Sequence, residues 1–205
     1  MTPRGRSAAK RSQGSGQLRI VGGALRGRRI ALPPSADASL RPTTDRVREA
    51  LFNILEHRFV GQEGFRLVGA RVLDGFAGSG ALGLEALSRG AAKAVFLDKD
   101  PGHCAALRRA VTELDLADRA AVLRADLLAP APPQDGPVDL VLLDPPYGTD
   151  LGRRGVQALA QAGWTRPGTI ISLEDNAAIA EADLPGVQLV DQRRYGKAWI
   201  SLCRV

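Results

Sequence analysis

The stretch VLDGFAGSGALGLEAL, Val72 to Leu87, decides how this chain is read. Val72 and Leu73 begin an apolar strand, a glycine loop follows from Asp74, and Ala81 to Leu87 have the make-up of a buried helix. A strand entering a helix through such a loop brings bare backbone and helix N-terminal amides close to a ligand. Gly78, Gly80 and Gly83 also spell G-x-G-x-x-G. Moving outward, the pattern predicts strands over Arg71 to Asp74, Ala94 to Asp98, Ala121 to Arg124 and Leu140 to Asp144. Helices are predicted over Leu82 to Ser88 and Gly102 to Leu114. This alternation is the βαβ rhythm of a parallel sheet. A helix over Gly152 to Ala162 and strands over Thr169 to Glu174, Val187 to Gln192 and Ala198 to Cys203 complete the chain, the last two as an antiparallel edge.

Ahead of this body, residues 1–17 are rich in Arg, Ser, Gly and Gln and have little to bury, so they are expected to be a disordered basic tail. Their lack of large apolar residues argues against an amphipathic transit peptide. LRIVGGALRGRRIAL, from Leu18, reads as a hairpin presenting Arg26, Arg28 and Arg29. The loop Pro33 to Pro42 leads to Thr43 or Thr44, either of which caps a helix with Val47, Leu51, Ile54 and Leu55 on one stripe. The expected organisation is therefore a tail over 1–17, a basic hairpin and loop over 18–42, and one domain over 43–205.

With 205 residues, 44% hydrophobic and 24% charged, the chain can bury a substantial core, and two large domains are excluded. Without an apolar run of bilayer length or a secretory leader, it reads as cytoplasmic. Cys104 and Cys203 offer no disulfide framework and read as buried small hydrophobes. His57 and His103 lack a second ligand at metal spacing, so no metal is expected, and both read as surface residues. Trp164 and Trp199 read as packing residues. The net charge is +6 overall, yet residues 1–48 hold eleven basic residues against Asp37 and Asp45, a net +9. A basic arm on a slightly acidic body points to a polyanion, with Arg19, Arg26, Arg28, Arg29, Arg41 and Arg46 as the candidate RNA contacts.

Asp98, about 20 residues beyond the glycine loop, would suit a dinucleotide ribose. Asp74 at the strand end would repel a pyrophosphate but suits the sulfonium and ammonium of S-adenosyl-L-methionine. On that reading Asp98 accepts from the ribose hydroxyls, Asp126 from the adenine amino group, and the Leu127 amide meets a ring nitrogen. These acids would line the crevice outside the strand ends, where open α/β sheets bind ligands.

The strand VDLVLLDPPYG stops at Asp144, Pro145, Pro146 and Tyr147. Two prolines remove amide donors and leave rigid carbonyl acceptors. An exocyclic base amine could donate to the Asp144 carboxylate and the Pro145 carbonyl while Tyr147 stacks on the ring. Because a paired amine is inaccessible, the target must be unpaired or flipped.

With D-x-F-x-G-x-G, the acid ending the second strand and D-P-P-Y in order, the chain resembles class I S-adenosylmethionine-dependent amino-methyltransferases. R-I-V-G-G-x-x-R-G-R at Arg19 to Arg28 and R-P-T-T-D-R-V-R-E at Arg41 to Glu49 further resemble the RsmD family, which methylates guanine N2 in bacterial small-subunit ribosomal RNA. The resemblance covers nearly everything after residue 17. It implies a Rossmann-like α/β fold, a seven-stranded, mostly parallel sheet with its last strand antiparallel, helices on both faces and a small N-terminal β-hairpin. It assigns Asp74, Phe76, Gly78, Gly80, Asp98 and Asp126 to the cofactor, and Asp144, Pro145, Pro146 and Tyr147 to the guanine. The implied partner is small-subunit ribosomal RNA, free or in a protein-bound 30S assembly intermediate, acted on by a monomer without a membrane. A DNA adenine-N6 methyltransferase and an RNA-binding protein with a vestigial site are the rival readings. The first usually needs more mass outside the core than this chain has.

Overall fold

The computed structural model describes residues 17–31, 44–57 and 65–205. Two short strands, β1 (Gln17–Arg19) and β2 (Arg29–Ala31), pair antiparallel as the expected hairpin, with Gln17 already in the strand. The expected tail up to residue 16, the loop over 32–43 and residues 58–64 lie outside the described residues. Helix α1 (Asp45–His57) begins after Thr44, whose Oγ1 accepts from the Val47 amide at 3.4 Å. The body runs β3 (Arg71–Gly75), α2 (Ala81–Ser88), β4 (Lys93–Asp98), α3 (Pro101–Glu113), β5 (Ala120–Arg124), β6 (Leu140–Leu143), α4 (Leu151–Gln161), β7 (Ile170–Asp175), β8 (Gln188–Tyr195) and β9 (Ala198–Arg204). No helix among the described residues is long and apolar enough to cross a membrane.

Strands β3 to β9 form one sheet in the order β5-β4-β3-β6-β7-β9-β8. The five strands from β5 to β7 are parallel, and β9 is antiparallel to both neighbours. The central β6, LVLL, is buried along its whole length, as a strand covered on both faces must be. One face packs on α1, α2, α3 and the hairpin through Phe52, Leu84, Leu107 and Ile30; the other packs on α4 through Val156 and Leu159. This is the Rossmann-like α/β arrangement expected, with helices on both faces of a mostly parallel sheet. Strand β8 runs past the expected Gln192 through Arg193 to Tyr195. It pairs with β9 alone, and an edge strand accepts charged side chains that a central one would not.

One basic residue of the N-terminal quarter is not part of any surface arm. Arg48 is fully buried, with Nη2 donating to Asp45 at 2.8 Å and to the Arg19 carbonyl, and Nε lying 3.5 Å from Glu85. Glu85 is equally buried and also takes Arg89 Nε at 2.8 Å. Burying these charges is tolerable because they are paired and hydrogen-bonded. Arg48 contributes to the +9 of residues 1–48 but sits on α1 among the buried Val47, Leu51 and Phe52, not on the surface.

The same network fastens the hairpin to α2. Glu85 Oε2 accepts from the Val21 amide at 2.9 Å, and Ser88 Oγ accepts from Leu25 at 2.9 Å and donates to the Gly22 carbonyl. The Ser88 carbonyl accepts from Ala24 at 2.7 Å. Helix α2 thus carries the glycine loop at one end and the hairpin at the other.

Candidate active site

Parallel strands end together, so the loops after β3, β4, β5 and β6 surround one crevice. It holds a cavity of about 670 Å³ lined by Phe76, Gly78, Asp98, Asp126, Leu127 and the whole of Asp144 to Tyr147.

At the β4 end, the two Asp98 oxygens accept from the amides of Gly78 at 2.7 Å and Asp100 at 2.8 Å. The carboxylate is fixed by the glycine loop on one side and by its own turn on the other, and it keeps lone pairs for further donors. Asp100 caps α3 by accepting from the His103 amide at 2.8 Å, a bond that holds its carboxyl below the usual range. Pro101 opens the helix, where a missing N–H costs nothing. This start aims His103 inward: its Nδ1 lies 3.3 Å from Asp98 and its ring lines the cavity. His103 is therefore not a bystander on the surface. His57 is exposed, as expected.

Asp74 ends up elsewhere than the charge argument placed it. It is 2% exposed, does not line the cavity, and accepts from the Gly83 amide at 2.8 Å. Burial pushes its carboxyl well above the ordinary carboxylate value, and the nearby Asp144 and Asp98 add to the rise. Gly80 also faces inward. It caps α2 in the left-handed region at φ 75, and a Cβ there would run into Leu107, just as one at Gly83 would run into Phe96. The later glycines of the G-x-G-x-x-G pattern therefore let helix and sheet approach, while Gly78 meets the cavity. Phe76 reaches it from a left-handed backbone at φ 58, a sparse conformation for an aromatic residue.

Past β5, Asp126 is exposed and accepts from the Leu128 amide at 2.9 Å, closing a turn over the buried Leu127. Past β6, Thr149 Oγ1 donates to the Pro146 carbonyl at 2.7 Å and ties off the Pro-Pro turn. Tyr147 is 46% exposed, and its hydroxyl donates a short hydrogen bond to Glu174. Partial burial, and then that bond, hold the phenol protonated well above its usual range. Glu174 itself is buried at the end of β7. Like Asp98 and Asp144 it is an acid at a strand terminus, and that repetition was the signal available for finding it.

Other groups fall outside the crevice. Cys104 and Cys203 are buried with their thiols pushed up, Cys203 to about 12, which makes poor nucleophiles. Trp164 donates to the Ala131 carbonyl at 2.8 Å, and Trp199 lies against Arg194. Of the candidate RNA contacts, Arg26 and Arg46 are exposed, Arg19 pairs with Asp45, Arg28 donates to the Glu113 carbonyl, and Arg29 lies 3.3 Å from Gln17. Arg41 lies outside the described residues.

A family model described as conserved hypothetical protein 95 matches residues 18–204. Ribosomal RNA small subunit methyltransferase D of Escherichia coli strain K12 is 40% identical over 174 residues, 85% of this chain and 81% of that protein. The putative rRNA methyltransferase YlbH of Bacillus subtilis strain 168 is 38% identical over 133 residues, 63% of this chain and 67% of that one. Among solved structures, the putative methyltransferase yhhF from Escherichia coli superposes with a TM-score of 0.74 at 35% identity, covering 92% of this chain and 98% of that chain. TrmN from Thermus thermophilus gives 0.62 at 27% identity, covering 82% and 51%.

Proposed function

The chain belongs to the family described as conserved hypothetical protein 95, that of the ribosomal RNA small subunit methyltransferase D proteins, and from this premise we propose that it methylates small-subunit ribosomal RNA at the exocyclic N2 of a guanine, with S-adenosylmethionine as donor. The observation that carries the reading is one cavity lined at one side by Asp98 and Asp126 and at the other by Asp144 to Tyr147.

The residues suit this donor. Asp98, braced by two amides, can accept from ribose hydroxyls, Asp126 from an adenine amine, and Leu97 and Leu127 give apolar walls for a purine. Phe76 and Gly78 border the same space. Asp74 would act from beneath, holding the first turns of α2 through Gly83. When bound, S-adenosylmethionine supplies an electrophilic methyl group. The protein's part is to present the acceptor. The guanine N2 lone pair is delocalised into the ring, so the free amine is a weak nucleophile. Asp144 and the Pro145 carbonyl accept its two N–H groups, which favours a pyramidal nitrogen with its lone pair turned away from the ring. Tyr147, anchored by Glu174, supplies the stacking face, and holding base and donor together removes most of the encounter entropy.

The hairpin arginines Arg26, Arg28 and Arg29, with Arg19, Arg46 and Arg41, would track phosphates, so residues 18–42 serve as the RNA-facing extension of a catalytic domain spanning 43–205. Incubating the protein with labelled S-adenosylmethionine and small-subunit particles lacking the modification, followed by nucleoside analysis, tests the proposal. The expected product is 2-methylguanosine, and 6-methyladenosine alone would overturn the guanine assignment. Replacing Arg26, Arg28 and Arg29 by Gln should lower the slope of log affinity against log salt by about 0.7 per lost contact and leave donor binding unchanged.

A further inference from the structure

A second groove lies between α1 and the outer strand β8, about 530 Å³ in volume and lined by Ala50, Asn53, Ile54, His57, Arg193 and Tyr195. Resting on the function proposed above, we infer that this groove takes an unstacked nucleotide of the same RNA strand that presents the target guanine.

The chemistry of the lining is the first support. Among the described residues no carboxylate lines the groove, while Asn53, His57 and Arg193 bring hydrogen-bond donors and Ile54 and the half-buried Tyr195 give apolar faces. Arg193 and Tyr195 are two apart on β8, so both point to the α1 side of the sheet. Asp191 holds the Arg193 Nε at 3.0 Å and so orients a guanidinium that remains 46% exposed. Donors beside an aromatic face, with basic residues around them, are what sequence-tolerant single-strand sites are made of. Lys197 lies in the turn that follows β8, and Arg46 is exposed on α1. Among the described residues a peptide with apolar anchors would find only Ala50, Ile54 and the Tyr195 ring.

Position is the second support. In the sheet register Arg193 pairs with Ile200 on β9, and Ile200 pairs with Glu174 on β7. Glu174 receives the Tyr147 hydroxyl, so groove and acceptor turn lie at the same end of the sheet. The two strand spacings between Arg193 and Glu174 amount to about 10 Å. RNA is read mostly through splayed, unpaired bases, and a flipped guanine leaves its neighbours available for such a site.

The test is a direct binding measurement, independent of methyl transfer, using a fluorescein-labelled single-stranded RNA of small-subunit ribosomal sequence. Tyr195→Leu, which keeps apolar bulk, should weaken binding about five- to a hundredfold. Arg193→Gln should weaken it a few-fold and lower the salt slope by about 0.7. Lys93→Gln, an exposed cation at the opposite end of the sheet, should bind as the wild type does. Wild-type-like RNA affinity in both groove variants, with melting curves showing them folded, would overturn the inference. So would a loss confined to assembled particles with naked RNA bound normally, since the occupant would then be a protein. A wild type that binds RNA through the groove but yields no 2-methylguanosine would instead overturn the proposed reaction alone.

Discussion

The ends of β3 and β4 lie side by side in the sheet, each carries an aspartate, and the two have opposite surroundings. The five-residue glycine loop after β3 folds back so that the Gly83 amide in the first turn of α2 donates to the Asp74 carboxylate, and the helix seals that acid from solvent. After β4 only Lys99 and Asp100 precede Pro101, so α3 starts at once and leads away, and Asp98 stays open to the cavity with its carboxylate braced by the Gly78 and Asp100 amides. One acid is a structural plug kept toward its neutral form, and the other is a presented acceptor. A strand-end carboxylate is thus made functional by whether the connection that follows folds back over it or leads away from it.

The β6 end gives the most severe test of this contrast, because Asp144 belongs to the presented class. Asp144→Ala should lower single-turnover methyl transfer at least a hundredfold, as loss of one preorganised electrostatic partner does. Donor affinity by calorimetry should stay within a few-fold; near-normal turnover would place Asp144 with Asp74. Next, Asp98→Ala removes a charge-assisted acceptor at a cost of about 1.5 to 3 kcal/mol and should weaken S-adenosylmethionine roughly ten- to a hundredfold. Tyr147→Phe keeps the ring but loses the bond to Glu174. A cost of about 0.5 to 1.5 kcal/mol should appear as a two- to tenfold fall in kcat/KM, matched by Glu174→Gln if the bond acts by holding the ring.

The smallest effect on ligand binding should come from Asp74→Asn, which keeps an acceptor for Gly83 and should change donor affinity less than threefold. Its signature is in stability. The folded-state pKa of Asp74 is raised above the ordinary 3.8, so its contribution is fully present below about pH 4 and is lost as pH rises through the folded value. The asparagine variant lacks that loss. Its stability relative to wild type should therefore increase with pH from about 4 upward, as read by thermal melts across pH. A flat difference would mean that the folded protein does not hold the Asp74 carboxyl above its ordinary value.

What could be read in advance was what a local pattern specifies. The strand alternation, the glycine loop and the Asp-Pro-Pro-Tyr turn are each fixed within a dozen residues, and the structure brings Phe76, Gly78, Asp98, Asp126, Leu127 and Asp144 to Tyr147 around one cavity. Asp74 and Gly80 were seen as residues but not as inward-facing ones, because which side of a loop a helix covers depends on packing against Phe96 and Leu107 from other elements. His103 and Glu174 were passed over for a related reason. Each acquires its partner, Asp98 or Tyr147, only when separate loops meet, and neither belongs to a spaced motif. Arg48 counts toward the basic N-terminal quarter yet is buried on α1, because a net charge does not say which face of a helix a residue takes.

The hairpin's attachment to α2 also bears on how the protein opens and closes on slow timescales. Two strands of three residues are not stable alone in water. Here the hairpin borrows its order from the later turns of a helix that the cavity-lining glycine loop leads into, so it should unfold with that helix as one cooperative segment. In native-state hydrogen exchange the amides of Val21, Ala24 and Leu25 should then group with α2 in their opening free energy, and slow together when a ligand steadies the glycine loop, rather than exchanging early like a frayed terminus.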